Sequence, residues 1–360
     1  MKKIKLSSFL LVFLIPILSF SQPKNVILMI GDGMGLVQAY SAYTVNKGEL
    51  NIFTMPVTGL SKTYSADKYV TDSGAGATAI AIGKKARNET IGIDSLGQPH
   101  PSLIKLAKKK GLSTGIIVTC DITHATPASF YANVEHRKQS EDIALALLEG
   151  DVDIFIGGGL DNFLSNKRKD KLSLIDSLET RGYKLVYTLD RLNSITKNNT
   201  DKENLLAGLL YSGHPPLAKK RNDMLSKSLE KTLELIADNE KGFFLMVEGS
   251  QIDFEAHYHR FDNMIGEVLD FDKSVGIALE FAKKNKNTLV IVIADHETGG
   301  LTINGGDFEK GEVKHKWSSF HHTGIMVPVY SFGIGAENFT GIMENTDVFE
   351  KITSLLDFKL

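Results

Sequence analysis

TLVIVIADHETGG, residues 288–300, is a run of β-branched and apolar side chains that ends abruptly in an acid and an imidazole. A short run of this kind, rich in Ile and Val, reads as a strand buried on both faces. Three other stretches share the pattern. NVILMI at 25–30 runs into Gly31, Asp32 and Gly33, TGIIV at 114–118 into Thr119, Cys120 and Asp121, and FFLMV at 243–247 into Glu248 and Gly249. A fifth run, 152–156, ends in Gly157, Gly158 and Gly159, and a sixth follows at 325–331. Helical patterns lie between them, at 101–110, 141–149, 222–238 and 265–284. Strands alternating with helices specify an α/β fold, a parallel sheet covered by helices. Such sheets collect ligands beyond the carboxyl ends of their strands, and the first four runs all end there in candidate ligands. The polar stretch 167–220 reads as a surface excursion. With no internal repeat, linker or low-complexity block, residues 22–360 read as one domain.

The 360 residues are 42% hydrophobic and 23% charged, with a formal net charge of −2, an ordinary globular composition. There is no basic excess of the kind that marks a nucleic-acid-binding surface. Lys2, Lys3 and Lys5 precede an apolar run at 9–20, and Ser19 and Ser21 supply small residues at cleavage spacing. Residues 1–21 are therefore expected to be a signal peptide cut before Gln22, which directs the chain to the periplasm or outside the cell. The run is short for a bilayer, so no membrane span is expected after cleavage; a membrane anchor or a buried first helix is the other reading. Cys120 is the single cysteine. It can make no internal disulfide and reads as a small buried side chain.

Several residues carry chemistry. Asp253 and His257 are four apart, so a helix brings them to one face. A carboxylate and an imidazole so placed form half of a zinc site, although a surface ion pair has the same spacing. Asp295 and His296 follow the 288–294 run, where a turn in the backbone can present both; the alternative is an ordinary strand-ending turn. His321 and His322 precede the last apolar run. One of them would complete a three-ligand set with Asp253 and His257, or both belong to a polar loop. Asp32 between glycines suits a carboxylate bridging metals, with glycine allowing close backbone approach; the glycine spacing does not match a dinucleotide fingerprint. Ser73 falls in VTDSGAGATA, 70–79. The small residues suit a tight packing seam, but a serine at a helix N-terminus beside Asp72 also suits anion binding. No GxSxG elbow surrounds Ser73, so a hydrolase triad is unsupported. Arg137 could grip two phosphate oxygens, or it could be a solvated charge.

Taken together, IGDGMG (30–35), VTDSGAGATA (70–79), HATPASFYANVEHR (124–137), VEGSQIDFEAH (247–257), ADHETGG (294–300) and HHTG (321–324) resemble, in order and type, the motifs of the alkaline phosphatases, especially the short bacterial secreted ones. The resemblance implies a three-layer α/β sandwich with a large, mostly parallel central sheet and helices on both faces. It implies hydrolysis of phosphate monoesters through a phosphoserine on Ser73, at two Zn2+ and one Mg2+. Asp253, His257 and His322 would hold one zinc, and Asp32, Asp295 and His296 the other, completed by Ser73. Asp32, Thr126 and Glu248 would hold magnesium, and Arg137 would grip phosphate. His321 would stand beside the ligand position. His124 falls where the family has Asp or His, and Phe254 where it has Lys or His. Residues 297–320 are a short equivalent of the family's crown region, so the chain is expected as a monomer or a homodimer. A phosphodiesterase or phosphonate hydrolase of the same metalloenzyme superfamily is the alternative.

Overall fold

A computed structural model describes residues 22–149, 151–197 and 204–359. The expected signal peptide, 1–21, lies outside them. The strands are β1 (Asn25–Gly31), β2 (Val57–Lys62), β3 (Ser113–Asp121), β4 (Ile154–Gly158), β5 (Lys184–Val186), β6 (Leu206–Leu209), β7 (Phe243–Gly249), β8 (Thr288–Ile293), β9 (Glu297–Thr298), β10 (Thr302–Asp307), β11 (Glu312–Lys316), β12 (His322–Thr323), β13 (Val327–Gly333) and β14 (Gly341–Glu344). Ten of them form one sheet in the order β14-β2-β13-β8-β1-β7-β3-β4-β6-β5. Every pairing in it is parallel except the two made by β13. The sheet is thus mostly parallel, as the alternating pattern requires. No helix among the described residues is long and apolar enough to cross a membrane.

The central strands β1, β7 and β8 are buried along their whole length, which is why they read as unbroken apolar runs rather than alternating ones. Helices Phe261–Lys284, Met224–Ile236 and Leu36–Val45 pack together on one side of the sheet, and Ser73–Ile82, Leu103–Lys110 and Asn345–Leu355 on the other. The helix over 265–284 starts a turn early, at Phe261.

The stretch 167–220 departs from expectation. It contributes β5 and β6, which extend the sheet beyond β4. Buried arginines near its two ends anchor it: Arg168 donates to Glu141 O and Asn162 O, and Arg221, just past it, is buried between Glu267 and Asp270. β5 is only three residues long, and the apolar run 205–211 that holds β6 is masked by the polar average of the stretch.

The small-residue run is a packing seam. Helix Ser73–Ile82 is buried throughout. A Cβ added at Gly76 would lie 3.0 Å from the backbone oxygen of Asp295, so the helix rests on the segment that follows β8. Replacing Gly76 by Val should destabilise the fold by about 1–3 kcal/mol through overpacking. Gly266, mid-helix with open space around its Cα, should instead gain about 0.5–1 kcal/mol as Ala. Urea denaturation of both variants checks this. A stable Gly76→Val variant would remove the seam.

Candidate active site

The carboxyl edge of the sheet gathers the acids. Asp32 lies just past β1, its amide donating to Gly249 O at the end of β7 (3.2 Å). Glu248 is level with Ile30 of β1 and Val118 of β3. β8 stops at Ile293, so Asp295 and His296 are free of strand alternation and turn to the same side. His296 Nε2 stands 3.3 Å from Asp295 Oδ2 and 3.4 Å from Asp32 Oδ1. Gly33 has φ +70°, and a Cβ there would lie 2.7 Å from Thr298 Oγ1 and 2.9 Å from Asp253 Cβ. Only glycine lets the loop after β1 close this tightly on the helix carrying Asp253.

Asp253 and His257 are one turn apart on helix Gln251–His257, with Oδ1 to Nε2 at 3.3 Å. β12 pairs with β9 and sets His322 opposite Thr298. His322 Nε2 then lies 3.5 Å from Asp253 Oδ1 and 3.0 Å from His257 Nε2. Its ring stacks on His296 at 3.5 Å, which joins the two clusters of side chains. His321 is exposed. The ring nitrogens are not free to choose roles. His257 Nδ1 donates to Phe320 O (2.6 Å) and His322 Nδ1 to Thr71 O (2.9 Å). A carbonyl only accepts, so in both neutral rings Nε2 carries the lone pair. Two lone pairs 3.0 Å apart, facing a carboxylate, need a cation or a proton between them.

Ser73 opens its helix, with Asp72 as N-cap accepting from the Ala75 amide (2.9 Å). Ser73 Oγ is 3.2 Å from His296 Nε2. The other oxygen of Asp72 accepts from Arg137 Nη1 (2.8 Å), and Arg137 Nη2 donates to His124 Nε2 (3.3 Å). The residue beside the serine therefore anchors the guanidinium there. Phe254 meets His124 edge-on at 5.4 Å. Thr126 is buried in the short helix Ala125–Ala128.

Electrostatically the site is acidic and short of countercharge. Asp32, Glu248, Asp253 and Asp295 are all buried. Both oxygens of Asp32, Glu248 Oε1, Asp295 Oδ2 and Thr126 Oγ1 have no hydrogen-bond partner. Burial, then the charge of Asp295, raises Asp32 well above the usual carboxylate range. Burial and Asp295 push Glu248 up to about 8, and burial and Asp253 push Asp295 up to about 6. Burial acts on Asp253 too, but His322 overrides it and holds that carboxyl low. Burial, with Arg137 alongside, pushes His124 down to about 3. Among the described residues, three groups have donors close enough to share one cation: Asp253, His257 and His322; Asp32, Asp253 and His296; and Cys120, His124 and Glu248. The last is the poorest, because burial keeps the thiol protonated. Mixed imidazole and carboxylate donors suit zinc, whereas the orphaned oxygens of Asp32, Thr126 and Glu248 suit a hard cation such as magnesium.

The alkaline phosphatase family model matches residues 23–316. Alkaline phosphatase 4 of Bacillus subtilis (strain 168) is 34% identical over 92% of this chain and 88% of its own length. The Escherichia coli (strain K12) alkaline phosphatase is 33% identical over 95% and 88%. The solved alkaline phosphatase of the Antarctic bacterium TAB5 has a TM-score of 0.89 at 36% identity, covering 95% of this chain and 100% of that one. The chain belongs to the alkaline phosphatase family. With the family comes phosphomonoester hydrolysis. A histidine-to-aspartate variant of the Antarctic alkaline phosphatase is described with Mg bound in its M3 site.

Sequence reading missed several parts of this alkaline phosphatase site. Thr298 Oγ1 donates to Asp253 Oδ1 and stands 3.2 Å from His296 Nδ1. The two-residue period of a strand from His296 would have pointed to it. Glu297 accepts from Gln38, Thr323 and the Gly300 and Leu301 amides, clamping the turn after β8 to β12. His214, in the loop after β6, accepts from the Asp121 amide (3.0 Å) and lies edge-on to Phe254 at 5.1 Å. Nothing local in the sequence brings it there.

These acids make cation-free protein pH-sensitive. With Glu248 near 8 and Asp295 near 6, the folded state keeps protons that the unfolded chain has already released, so unfolding free energy falls as pH rises. The melting temperature of chelated protein should drop between about pH 5 and pH 8. Glu248→Gln should flatten the slope, and zinc plus magnesium should abolish it. A chelated protein that gains stability over this range would contradict the assignment.

Proposed function

We propose that this chain hydrolyses phosphate monoesters in two steps, through a phosphoserine on Ser73, at a site holding two Zn2+ and one Mg2+. The observation that carries this is the ring of buried carboxylates with unpartnered oxygens around a serine that opens a helix. Asp253, His257 and His322 would hold one zinc, and Asp32, Asp295, His296 and Ser73 the other. Asp32, Thr126 and Glu248 would hold magnesium. Such ions, when bound, supply charge that stabilises the transferring phosphoryl group and activates the nucleophile and the attacking water.

The protein groups do the rest. Ser73 Oγ forms a bond to phosphorus while the bond from phosphorus to the alcohol oxygen breaks on the opposite side, in line. Water then breaks the Ser73 ester and releases inorganic phosphate. The helix N-terminus at Ser73 favours the dianion. Arg137, held by Asp72 and His124, has further N–H donors for two phosphate oxygens, and its tethers remove the entropy of finding them. Phe254 offers no polar group to this pocket, which leaves Arg137 the larger share of the grip. The same reading makes residues 22–360 a single domain with a short crown equivalent at 297–320, exported to the periplasm or beyond. It works as a monomer or homodimer on small phosphate monoesters, with no nucleic-acid partner.

Ser73→Ala should lower monoester turnover by several orders of magnitude and abolish acid-trappable phosphoprotein. Labelled phosphate still bound to that variant would mean another nucleophile. Arg137→Ala should slow monoester hydrolysis by roughly 10²–10³-fold, on the scale of losing one such transition-state donor, and diester hydrolysis far less, because a diester lacks one of the charged oxygens. Equal losses on the two substrates, measured in parallel, would refute the clamp.

A further inference from the structure

The nest opens to solvent most widely at His257. Asp32, Asp295 and His296 side chains have no exposure, whereas the His257 side chain is 31% exposed. Under the two-step reading on which this inference rests, phosphate sits against the closed floor at Ser73. The alcohol portion of the ester must therefore project past His257 toward solvent.

An aromatic stack stands at that opening. Trp317, the only tryptophan in the chain, lies parallel to His259 at 5.0 Å and 3°. His259 lies parallel to Phe320 at 4.0 Å and 13°. Phe320 ends the stack and is 65% exposed. The stack is braced from both strands of chain. His259 donates to Ser319 O (2.7 Å), and His257 donates to Phe320 O (2.6 Å). His259 is also held at φ +54°, a left-handed conformation uncommon for a side-chain-bearing residue. The backbone thus accepts local strain at His259, whose ring covers one face of Phe320, while the Phe320 carbonyl holds His257. An exposed, immobilised aromatic face costs hydrophobic free energy in water and regains it when a flat ring covers it.

We propose that Phe320 is a leaving-group shelf, on which the aromatic alcohol portion of a monoester stacks, so that the preferred substrates are aryl phosphates and nucleoside monophosphates. Stacking is indifferent to the hydrogen-bonding edge of the ring, because every aromatic base offers a π face. The shelf therefore selects flat over aliphatic alcohols without selecting among bases. Tyr258, next to His257, is also exposed, but the Arg260 guanidinium lies over its ring at 4.6 Å. Tyr69 is a further exposed aromatic near the nest: it is 79% exposed, rests on Gly324 and lies two residues before Thr71, whose carbonyl orients His322. It lacks the stack that fixes Phe320, so it serves as the comparison.

The test compares zinc- and magnesium-loaded wild type with Phe320→Ala, Phe320→Leu, Phe320→Tyr and Tyr69→Ala on adenosine 5′-monophosphate, phenyl phosphate and glycerol 1-phosphate. Phe320→Ala and Phe320→Leu should lose about tenfold in kcat/KM on the two aromatic esters, mostly through KM, and about twofold or less on glycerol phosphate. Phe320→Tyr should restore the preference. Adenosine, which carries no phosphate, should perturb Trp317 fluorescence in wild type and not in Phe320→Ala. Equal losses on all three esters would mean that Phe320 only holds His257 in place, and would overturn the shelf. So would a selective loss in Tyr69→Ala alone, or a fluorescence response that survives Phe320→Ala. A wild type with no monoester turnover would sink the hydrolase reading itself, and the fluorescence titration would then decide the shelf alone.

Discussion

Asp32, Glu248, Asp253 and Asp295 share one water-poor nest, and a buried, unpaired carboxylate costs several kcal/mol. No fold keeps four such groups together unless something neutralises them. Within reach the protein supplies Arg137 and a few imidazoles, and Arg137 is already engaged by Asp72. The remaining neutralisation must come from protons or from cations. Two imidazole lone pairs aimed at one point, and orphaned oxygens on Asp32, Glu248 and Thr126, are the expected shape of a protein that carries half of a coordination sphere and takes the other half from solution.

The rest of the architecture serves this convergence. Parallel strands point their carboxyl ends one way, so residues more than two hundred positions apart arrive at one rim. Gly33 and Gly76 let the first loop and the helix that Ser73 opens approach where any side chain would hold them off. Glu297 ties the turn after β8 to helix Leu36–Val45 through Gln38 and to β12 through Thr323. Backbone carbonyls at Thr71 and Phe320 fix the faces of His322 and His257. Each of these contacts is modest in energy, but together they decide where donors stand to within a fraction of an ångström, which is the precision a metal site needs.

Much of this was legible in the chain. Strands buried on both faces announce themselves as unbroken apolar runs, so the central strands and the acids that follow them could be read directly. The four-residue spacing of Asp253 and His257 carries its own geometry. What escaped has physical reasons. β5, three residues long, is too short to show a period, and the apolar run 205–211 that holds β6 is masked by the polar average of the stretch around it. Whether His321 or His322 faces the nest depends on the register of a two-residue strand, which pairing with β9 decides and local sequence does not; the motif resemblance, not the spacing, pointed to His322. Asp72 caps the helix that Ser73 opens, yet its second oxygen holds Arg137 across 65 positions, a pairing with no local signature. Carbonyls that orient ligands are invisible to any reading of side chains.

The most direct test of the central claim is anomalous diffraction at the zinc edge from crystals grown with zinc and magnesium. Two strong peaks are expected, one bounded by Asp253, His257 and His322, the other by Asp32, Asp295, His296 and Ser73 Oγ. No peak in the nest, with the carboxylates instead sharing protons or repacked against protein cations, would contradict the account.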